Sequence, residues 1–208
     1  MYFGRALKSY GQGRAVEHRF PASAKPFTLG GMQFKLAVGQ NTKCTFITDS
    51  RMENLDWLIL RSGSIRAYRK KEYLELDISW FVDRGFSVIR FDCSKWTSKA
   101  MMHEDLATEL NFPDYYGKNL DALTDCLVEL EINDPGLVLV FSRFDTLGEE
   151  TRDTLTDIFD HASRAQLSLG KKMIGLLQVD DPKTTFSPIQ YSIIWNSKEW
   201  LDSNRLKK

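Results

Sequence analysis

The sequence predicts an α/β fold in which a three-stranded parallel sheet is packed by helices. The main observation is an ordered alternation after residue 85, where strand, helix, helix, strand, helix and strand patterns follow one another. Parallel neighbouring strands need a crossover between them, and helices supply it. A hydrophobic content of 42% provides enough apolar side chains for a packed core. The 208 residues allow one large or two small domains.

Residues 1–31 are predicted to form a mobile basic tail. They are rich in Gly, Ser, Arg and Pro, and they have no sustained apolar period. This segment has one acidic residue, Glu17, and five basic residues, which are Arg5, Lys8, Arg14, Arg19 and Lys25. Such a tail either contacts nucleic acid or has no binding role, and its shortness favours the second alternative.

Residues 32–84 are predicted to form an N-terminal β/α extension that packs on the core. The predicted elements are strands at Phe34–Val38 and Cys44–Thr48, a hairpin of Trp57–Arg61 and Ser64–Tyr68, and a helix from Lys71 to Asp83. The dipeptide Ser62-Gly63 between two apolar runs is the turn signal for the hairpin. Gly85 is the stop signal for the helix.

Residues 85–180 are predicted to form the central domain, and residues 181–208 a C-terminal extension. The predicted elements are a strand at Phe86–Phe91, helices from Thr97 or Ser98 to Asn111 and from Tyr115 or Tyr116 to Glu131, a strand at Leu137–Phe141, a helix at Glu149–Leu169, and a strand at Lys172–Gln178. In the extension, Tyr191–Trp195 is consistent with a short strand and Ser197–Asn204 with a short helix.

Charge is unevenly distributed, although the formal net charge is +0. Residues 1–85 carry a net +6 and residues 86–208 a net −6. The stretch from Glu104 to Asp160 has 15 acidic residues against three bases, for a net charge of −12. Such a block is either a set of solvated helix faces or a surface that attracts a basic partner.

One predicted helix carries an acidic stripe and an apolar stripe. Asp121, Asp125 and Glu129 recur every four residues, so they lie along one helix face. Each like-charge pair costs an isolated helix about 0.2–0.5 kcal/mol. The apolar stripe consists of Leu120, Leu123, Cys126, Leu127 and Leu130. From spacing alone, a solvated acidic face is slightly favoured over a binding site for a basic partner.

The segment Pro113-Asp-Tyr-Tyr-Gly-Lys-Asn-Leu-Asp-Ala-Leu-Thr-Asp-Cys-Leu127 resembles the signature of the barstar family. Members of that family are intracellular inhibitors of the bacterial ribonuclease barnase. The resemblance extends over about residues 85–180, with a highly specific motif and a later part matched mainly by pattern. It implies a barstar-like three-stranded parallel sheet with packed helices, which agrees with the element order derived above.

The resemblance also implies a binding mode, in which the motif helix and the loop before it block a ribonuclease active site. The partner-binding residues that it implies are Tyr115, Gly117, Asn119, Leu120, Asp121 and Asp125, with Asp125 as the key acid. A ribonuclease site holds phosphate with Arg, Lys and His, so a rigid set of carboxylates can compete with RNA. The implied partner is a basic extracellular-type ribonuclease or nuclease toxin, and the implied role is that of a bacterial immunity protein or antitoxin.

Five positions depart from the family pattern. Thr124 and Leu130 stand where the archetype has tryptophan, and Val128 stands where it has threonine. In the last helix, His161 and Ala165 replace two acids. These differences affect the periphery of the inhibitory face, so a changed partner is expected rather than barnase itself. The alternative function is a non-inhibitory regulatory module that binds another basic protein or nucleic acid.

The sequence does not predict an enzyme, a metal site or a cofactor. Asp121 and Asp125 could form an acid–base pair or hold a metal, but no His or Cys stands at ligand spacing near them. Cys126 lies in the apolar stripe, which favours a buried inert thiol over a nucleophile. His103 is expected to be a surface or packing residue.

The expected location is the cytoplasm. The cysteines are odd in number and widely spaced, which argues against a disulfide framework. The N-terminal residues lack the apolar core of a secretory signal, and no apolar run approaches the length of about 20 residues that crosses a bilayer. A membrane partner is therefore not expected.

Overall fold

The computed structural model describes residues 28–29, 32–33, 54–186 and 193–207 of the chain. The chain divides into two compact units, Met1–Ser50 and Arg51–Lys208. In the first unit, β1 (Thr28–Leu29) pairs antiparallel with β2 (Met32–Gln33). The strand β1 falls within residues 1–31, which the sequence predicted to be a tail without regular structure; the rest of that tail and the strands predicted at Phe34–Val38 and Cys44–Thr48 lie outside the described residues.

The second unit alternates helices and strands. In chain order its elements are α1 (Leu55–Leu60), β3 (Ile65–Tyr68), α2 (Lys71–Val82), β4 (Ser87–Asp92), α3 (Lys99–Glu109), α4 (Leu120–Val128), β5 (Leu137–Ser142), α5 (Glu149–Ser168), β6 (Met173–Gln178), β7 (Ile194–Trp195) and α6 (Asp202–Leu206). No helix within these described ranges is long and apolar enough to cross a membrane.

The strands form one five-stranded sheet with the order β4-β5-β6-β3-β7, and every neighbouring pair is parallel. The predicted α/β class is confirmed, and the three strands of the predicted central sheet are adjacent as β4, β5 and β6. The sheet continues beyond them, because β3 pairs with β6 over four residues and β7 adds two more pairs at the edge.

Helices cover both faces of the sheet. Side chains alternate along a strand, so Leu137, Leu139 and Phe141 of β5 face one side while Val138 and Val140 face the other. The first side packs against α3, α4 and α5, and the second packs against α1 and α2. Helix α4, which carries the acidic stripe, therefore lies on the opposite face of the sheet from α2.

The hairpin predicted at Trp57–Arg61 and Ser64–Tyr68 is wrong. The first segment is helical in α1, and the second is β3, which pairs in parallel with β6 instead of folding back on its neighbour. A short apolar run does not distinguish a strand from one buried turn of helix. As a helix, this segment buries Ile59 against the sheet and leaves Trp57 at the surface.

The second predicted helix of the central domain begins later than expected. Helix α4 starts at Leu120 rather than at Tyr115 or Tyr116, because Lys118 has a φ of 48° and Asn119 caps the helix from an extended conformation. The helix predicted from Ser197 likewise begins at Asp202, after turns at residues 197–199. Helices α2, α3 and α5 begin and end within two residues of their predicted bounds.

Candidate partner-binding face

The apolar stripe of α4 packs on the core, and Asn119, the residue before the helix, caps its N-terminus. Leu123, Cys126 and Leu127 are buried against the sheet and the neighbouring helices. At the N-terminus, the Asn119 Oδ1 atom accepts a hydrogen bond of 2.8 Å from the backbone N–H of Ala122. This cap satisfies one of the N–H groups that a helix start leaves without a partner.

The loop that precedes α4 is held by Tyr116. Its backbone N–H donates to the carbonyl oxygen of Pro113 at 2.9 Å, its ring packs edge-on against Phe112, and its hydroxyl hydrogen-bonds to Nδ1 of His103. The neighbouring Tyr115 points outward and is 77% exposed. One tyrosine thus holds the loop on α3, while the other is available to a partner.

Burial determines the protonation of the Tyr116 and His103 pair. Desolvation, with a smaller contribution from Cys126, raises the pKa of Tyr116 to about 12, so the phenol is protonated at neutral pH. Desolvation also lowers the pKa of His103, and the cations Lys118 and Lys99 lower it further. The phenol O–H of Tyr116 therefore donates its hydrogen bond to Nδ1 of the neutral imidazole. His103 is a packing residue, as the sequence predicted.

Gly117 lies where a side chain would crowd the cap. A Cβ atom at this position would come within 3.1 Å of Asn119 Nδ2 and 3.6 Å of Ala122 Cβ. The first of these distances is tighter than ordinary van der Waals contact, so a larger residue would push the cap away. The glycine of the motif therefore allows the loop to approach the start of α4.

The acidic stripe of α4 is exposed to solvent. Asp121, Asp125 and Glu129 are all exposed, and no hydrogen bond or ion pair joins their carboxylates to any residue in the described part of the chain. Lys118, three residues before Asp121, instead pairs with Glu104 at 3.1 Å. The closest base in the sequence is therefore engaged by an acid of α3 rather than by the stripe.

Other acids of the negative block have structural roles. Asp105 accepts a hydrogen bond of 2.7 Å from the Trp96 indole, and Asp145 accepts two from backbone N–H groups after β6. Asp160 is buried, where it accepts from Ser64 at 2.8 Å and pairs with Arg164. The net charge of the block therefore includes carboxylates that hold the fold together and does not belong to one surface alone.

Gln166 is a residue of the site that sequence reasoning missed. This buried side chain of α5 donates from Nε2 to the carbonyl oxygens of Leu127, Val128 and Leu130, at 3.2, 2.9 and 2.9 Å. The bonds join the C-terminal end of α4 to α5. The available signal was a polar residue on the apolar face of α5, where it follows Phe159 and Ala162 at helical spacing.

The positions that depart from the family pattern form a partly apolar border. Thr124 is half-buried and donates to the carbonyl oxygen of Leu120 at 3.0 Å. Val128 and Leu130 are also half-buried and pack on the core, whereas His161 is exposed. Leu120, which the resemblance assigned to binding, is likewise half-buried on the core and offers a partner only part of its side chain.

The thiols near this face are buried. Burial raises the pKa of Cys126, and the nearby Glu129 and Asp125 carboxylates raise it further. Burial also raises the pKa of Cys93. Both thiols are therefore protonated at neutral pH. Across the ranges that the structure describes, no group of three His, Cys, Asp or Glu side chains could hold a metal ion.

Comparison with known proteins matches the same part of the chain. Residues 86–178 match the family described as Barstar (barnase inhibitor). A protein of Bacillus subtilis (strain 168) named "Putative ribonuclease inhibitor YrdF" is 39% identical over 69 residues, which make up 33% of this chain and 74% of that protein. The chain belongs to the barstar family. The barstar match runs from the start of β4 to the end of β6, so it includes the loop, α4 and Gln166.

Proposed function

We propose that this barstar-family protein is a cytoplasmic, immunity-type inhibitor of a ribonuclease or a related basic nuclease toxin. The observation that carries the proposal is the exposed pair of carboxylates at Asp121 and Asp125, which have no ion-pair partner among the described residues, on a helix held at both ends. In this role the protein would neutralise a bacterial toxin before it degrades cellular RNA. The family relationship supports a ribonuclease as the partner.

The proposed mechanism is competition with RNA phosphate. Asp125 would receive charge-assisted hydrogen bonds from Arg or Lys in the cleft of the ribonuclease, and Asp121 would take a neighbouring phosphate position. Tyr115 and the backbone beside Gly117 would fill the mouth of the cleft. Since Asn119 and the packing of α4 fix the carboxylates before contact, little conformational entropy is lost on binding.

We further propose that the protein has no catalytic activity of its own. Asp121 and Asp125 would act as ligands for the cations of the partner, so the double substitution Asp121→Asn, Asp125→Asn should preserve the fold and abolish inhibition. A metal-dependent nuclease activity in the pure protein, lost in this double variant, would contradict the proposal.

A second candidate is a regulatory module that binds a basic protein other than a nuclease. The observation that favours it lies at the border of the face, where Thr124 and Leu130 stand in place of two tryptophans of the archetype and Val128 in place of a threonine. Aromatic side chains dominate many interfaces, so their replacement changes which partner fits. Nucleic acid is a poorer candidate for this face because phosphate would be repelled by the stripe.

The test is an inhibition assay with defined nucleases. A panel of basic microbial ribonucleases that includes barnase is titrated with the protein while hydrolysis of an RNA substrate is followed. The proposal predicts stoichiometric inhibition of at least one enzyme. If every enzyme of the panel retains full activity, and a basic protein captured from the native cells has no nuclease activity, the regulatory alternative replaces it.

A further inference from the structure

Gln166 joins the end of α4 to the neighbouring helix α5 through one side chain. The residue is 2% exposed. Its Nε2 atom lies within hydrogen-bond distance of three carbonyl oxygens at and just after the end of α4, those of Leu127, Val128 and Leu130. We propose that Gln166 is a positioning residue that sets the orientation of the last turn of α4 and thereby of the Asp125 and Glu129 carboxylates. This inference rests on the proposed function of the acidic face.

The last turn of α4 needs such support because a helix end leaves carbonyl groups without intrahelical partners. Many helices solve this with a glycine in the left-handed region just after the end. Here neither Glu129, the C-cap, nor Leu130 after it has a positive φ, so the left-handed solution is absent at this helix end. The Gln166 amide supplies hydrogen-bond donors to these carbonyls instead.

The short length of α4 makes its direction depend on contacts at its ends. The helix has nine residues, fewer than an isolated helix needs to be stable in water. Asn119 holds the first turn through the backbone N–H of Ala122, and Gln166 holds the last turn. Asp125 lies in that last turn, because its carbonyl oxygen accepts the N–H of Glu129 at 3.0 Å.

Binding should respond to a small rotation of this turn. Charge-assisted hydrogen bonds to Arg or Lys depend on direction as well as distance. A loosened last turn would let the Asp125 carboxylate sample orientations that do not fit the cations of the partner. The partner would still be attracted by the charge, but the complex would dissociate faster.

The experiment compares Gln166→Met with Ser163→Ala in the full chain. Methionine keeps a similar length and volume but cannot donate. Ser163 is a matched control on the same helix, since its buried hydroxyl donates to the carbonyl oxygen of Met173 in the sheet at 2.6 Å, away from α4. Two readouts are taken well below the melting temperature: amide hydrogen exchange across residues 123–129, and inhibition of barnase with separate association and dissociation rates.

The inference predicts that Gln166→Met accelerates exchange in the last turn of α4 by about tenfold and raises the dissociation rate by a similar factor, the loss expected for about one hydrogen bond. The association rate and its salt dependence should stay near the wild-type values. Ser163→Ala should leave both the exchange of this turn and the dissociation rate unchanged.

Equal exchange of the α4 amides in both variants would overturn the inference. So would a dissociation rate for Gln166→Met that matches Ser163→Ala. If the wild-type protein does not inhibit barnase, a barnase-type target is excluded from the proposed function, and the exchange data alone decide whether Gln166 orders the turn that holds Asp125.

Discussion

His103 makes the loop before α4 sensitive to acid. Its pKa is lowered in the folded state, so the unfolded chain binds a proton more readily than the folded protein does. The free energy of unfolding should therefore be fully retained above the ordinary histidine pKa of 6.5 and should fall as the pH drops below it. Acid should loosen the contact of His103 with Tyr116 and release the loop.

The first prediction concerns this pH dependence. His103→Gln should reduce the loss of stability between pH 7 and pH 5, because the neutral amide does not titrate. Urea unfolding at several pH values measures the effect. His161→Gln, which removes an exposed imidazole from α5, is the matched control, and the effect of His103→Gln is taken relative to it. The same slope in His103→Gln and in the wild-type protein would contradict this account.

Some features of the candidate site can be predicted from local sequence patterns, whereas others depend on contacts between residues that are far apart in the chain. The exposure of Asp121 and Asp125 follows from helical spacing opposite an apolar stripe. The bond between Gln166 and the end of α4 joins residues almost forty positions apart, so no local pattern specifies it. The same holds for Lys118, whose partner proved to be Glu104 on α3 rather than the closer Asp121.

At the scale of the elements, the C-terminal segment stabilises the start of α2 through hydrogen bonds that Glu199 accepts. Glu199 is fully buried, and its carboxylate accepts hydrogen bonds from the backbone N–H groups of Arg69 and Lys70, at 3.0 and 2.9 Å. These groups precede the first residue of α2, whose own N-cap side chain makes no such bond. A residue far along the chain thus performs the role of a local helix cap.

The second prediction is that Glu199→Gln destabilises the protein by about 1–3 kcal/mol, the range for leaving a buried polar group unsatisfied. The amide would direct Nε2 at one of the two N–H donors. Chemical denaturation measures the change, with Glu72→Gln in the exposed first turn of α2 as the matched control. Equal midpoints for the two variants would show that Glu199 does not stabilise α2.

The elements that sequence patterns misjudged are those whose conformation depends on distant strands. The segment around Trp57 has the composition of a strand, but residues 65–68 already pair with β6, so α1 packs on the sheet face instead. By contrast, α5 and β5 have long, unambiguous patterns, and their observed bounds agree with the expected ones. Short apolar runs are therefore the weak point of prediction in this fold.

For the whole molecule, the five-stranded sheet makes residues 54–84 part of one core with the barstar match. Strand β3 lies between β6 and β7, and α1 and α2 cover one face of the sheet. The residues of the central strands that this cover buries are Val138, Val140, Ile174 and Leu176. A barstar-like domain without the cover would expose them to water.

The third prediction follows from this arrangement. A chain that begins at Gly85 should aggregate, because it exposes an apolar sheet face and an unpaired edge of β6. A chain that lacks only residues 1–30 should melt close to the full-length protein. Size-exclusion chromatography and thermal unfolding distinguish the outcomes. A soluble, cooperatively unfolding chain from Gly85 would show that the central domain is independent.

The fourth prediction concerns the charge of the whole face. Glu129→Ala should slow association with the ribonuclease and weaken its salt dependence, with a smaller effect on affinity, because the proposed binding mode puts this carboxylate nearer the rim than Asp125. Stopped-flow binding at low and high salt measures both quantities. An association rate that does not change with ionic strength would contradict electrostatic attraction by the stripe.

The most direct test of the inhibitor account is the affinity of Asp125→Ala for the ribonuclease that the wild-type protein inhibits. Glu72→Ala is the matched control, since it removes the same charge from an exposed site on α2, across the sheet from α4. The account predicts a loss of about 2–5 kcal/mol for Asp125→Ala, because the cations of the partner are left unpaired, and almost none for the control. Wild-type affinity for Asp125→Ala would contradict it.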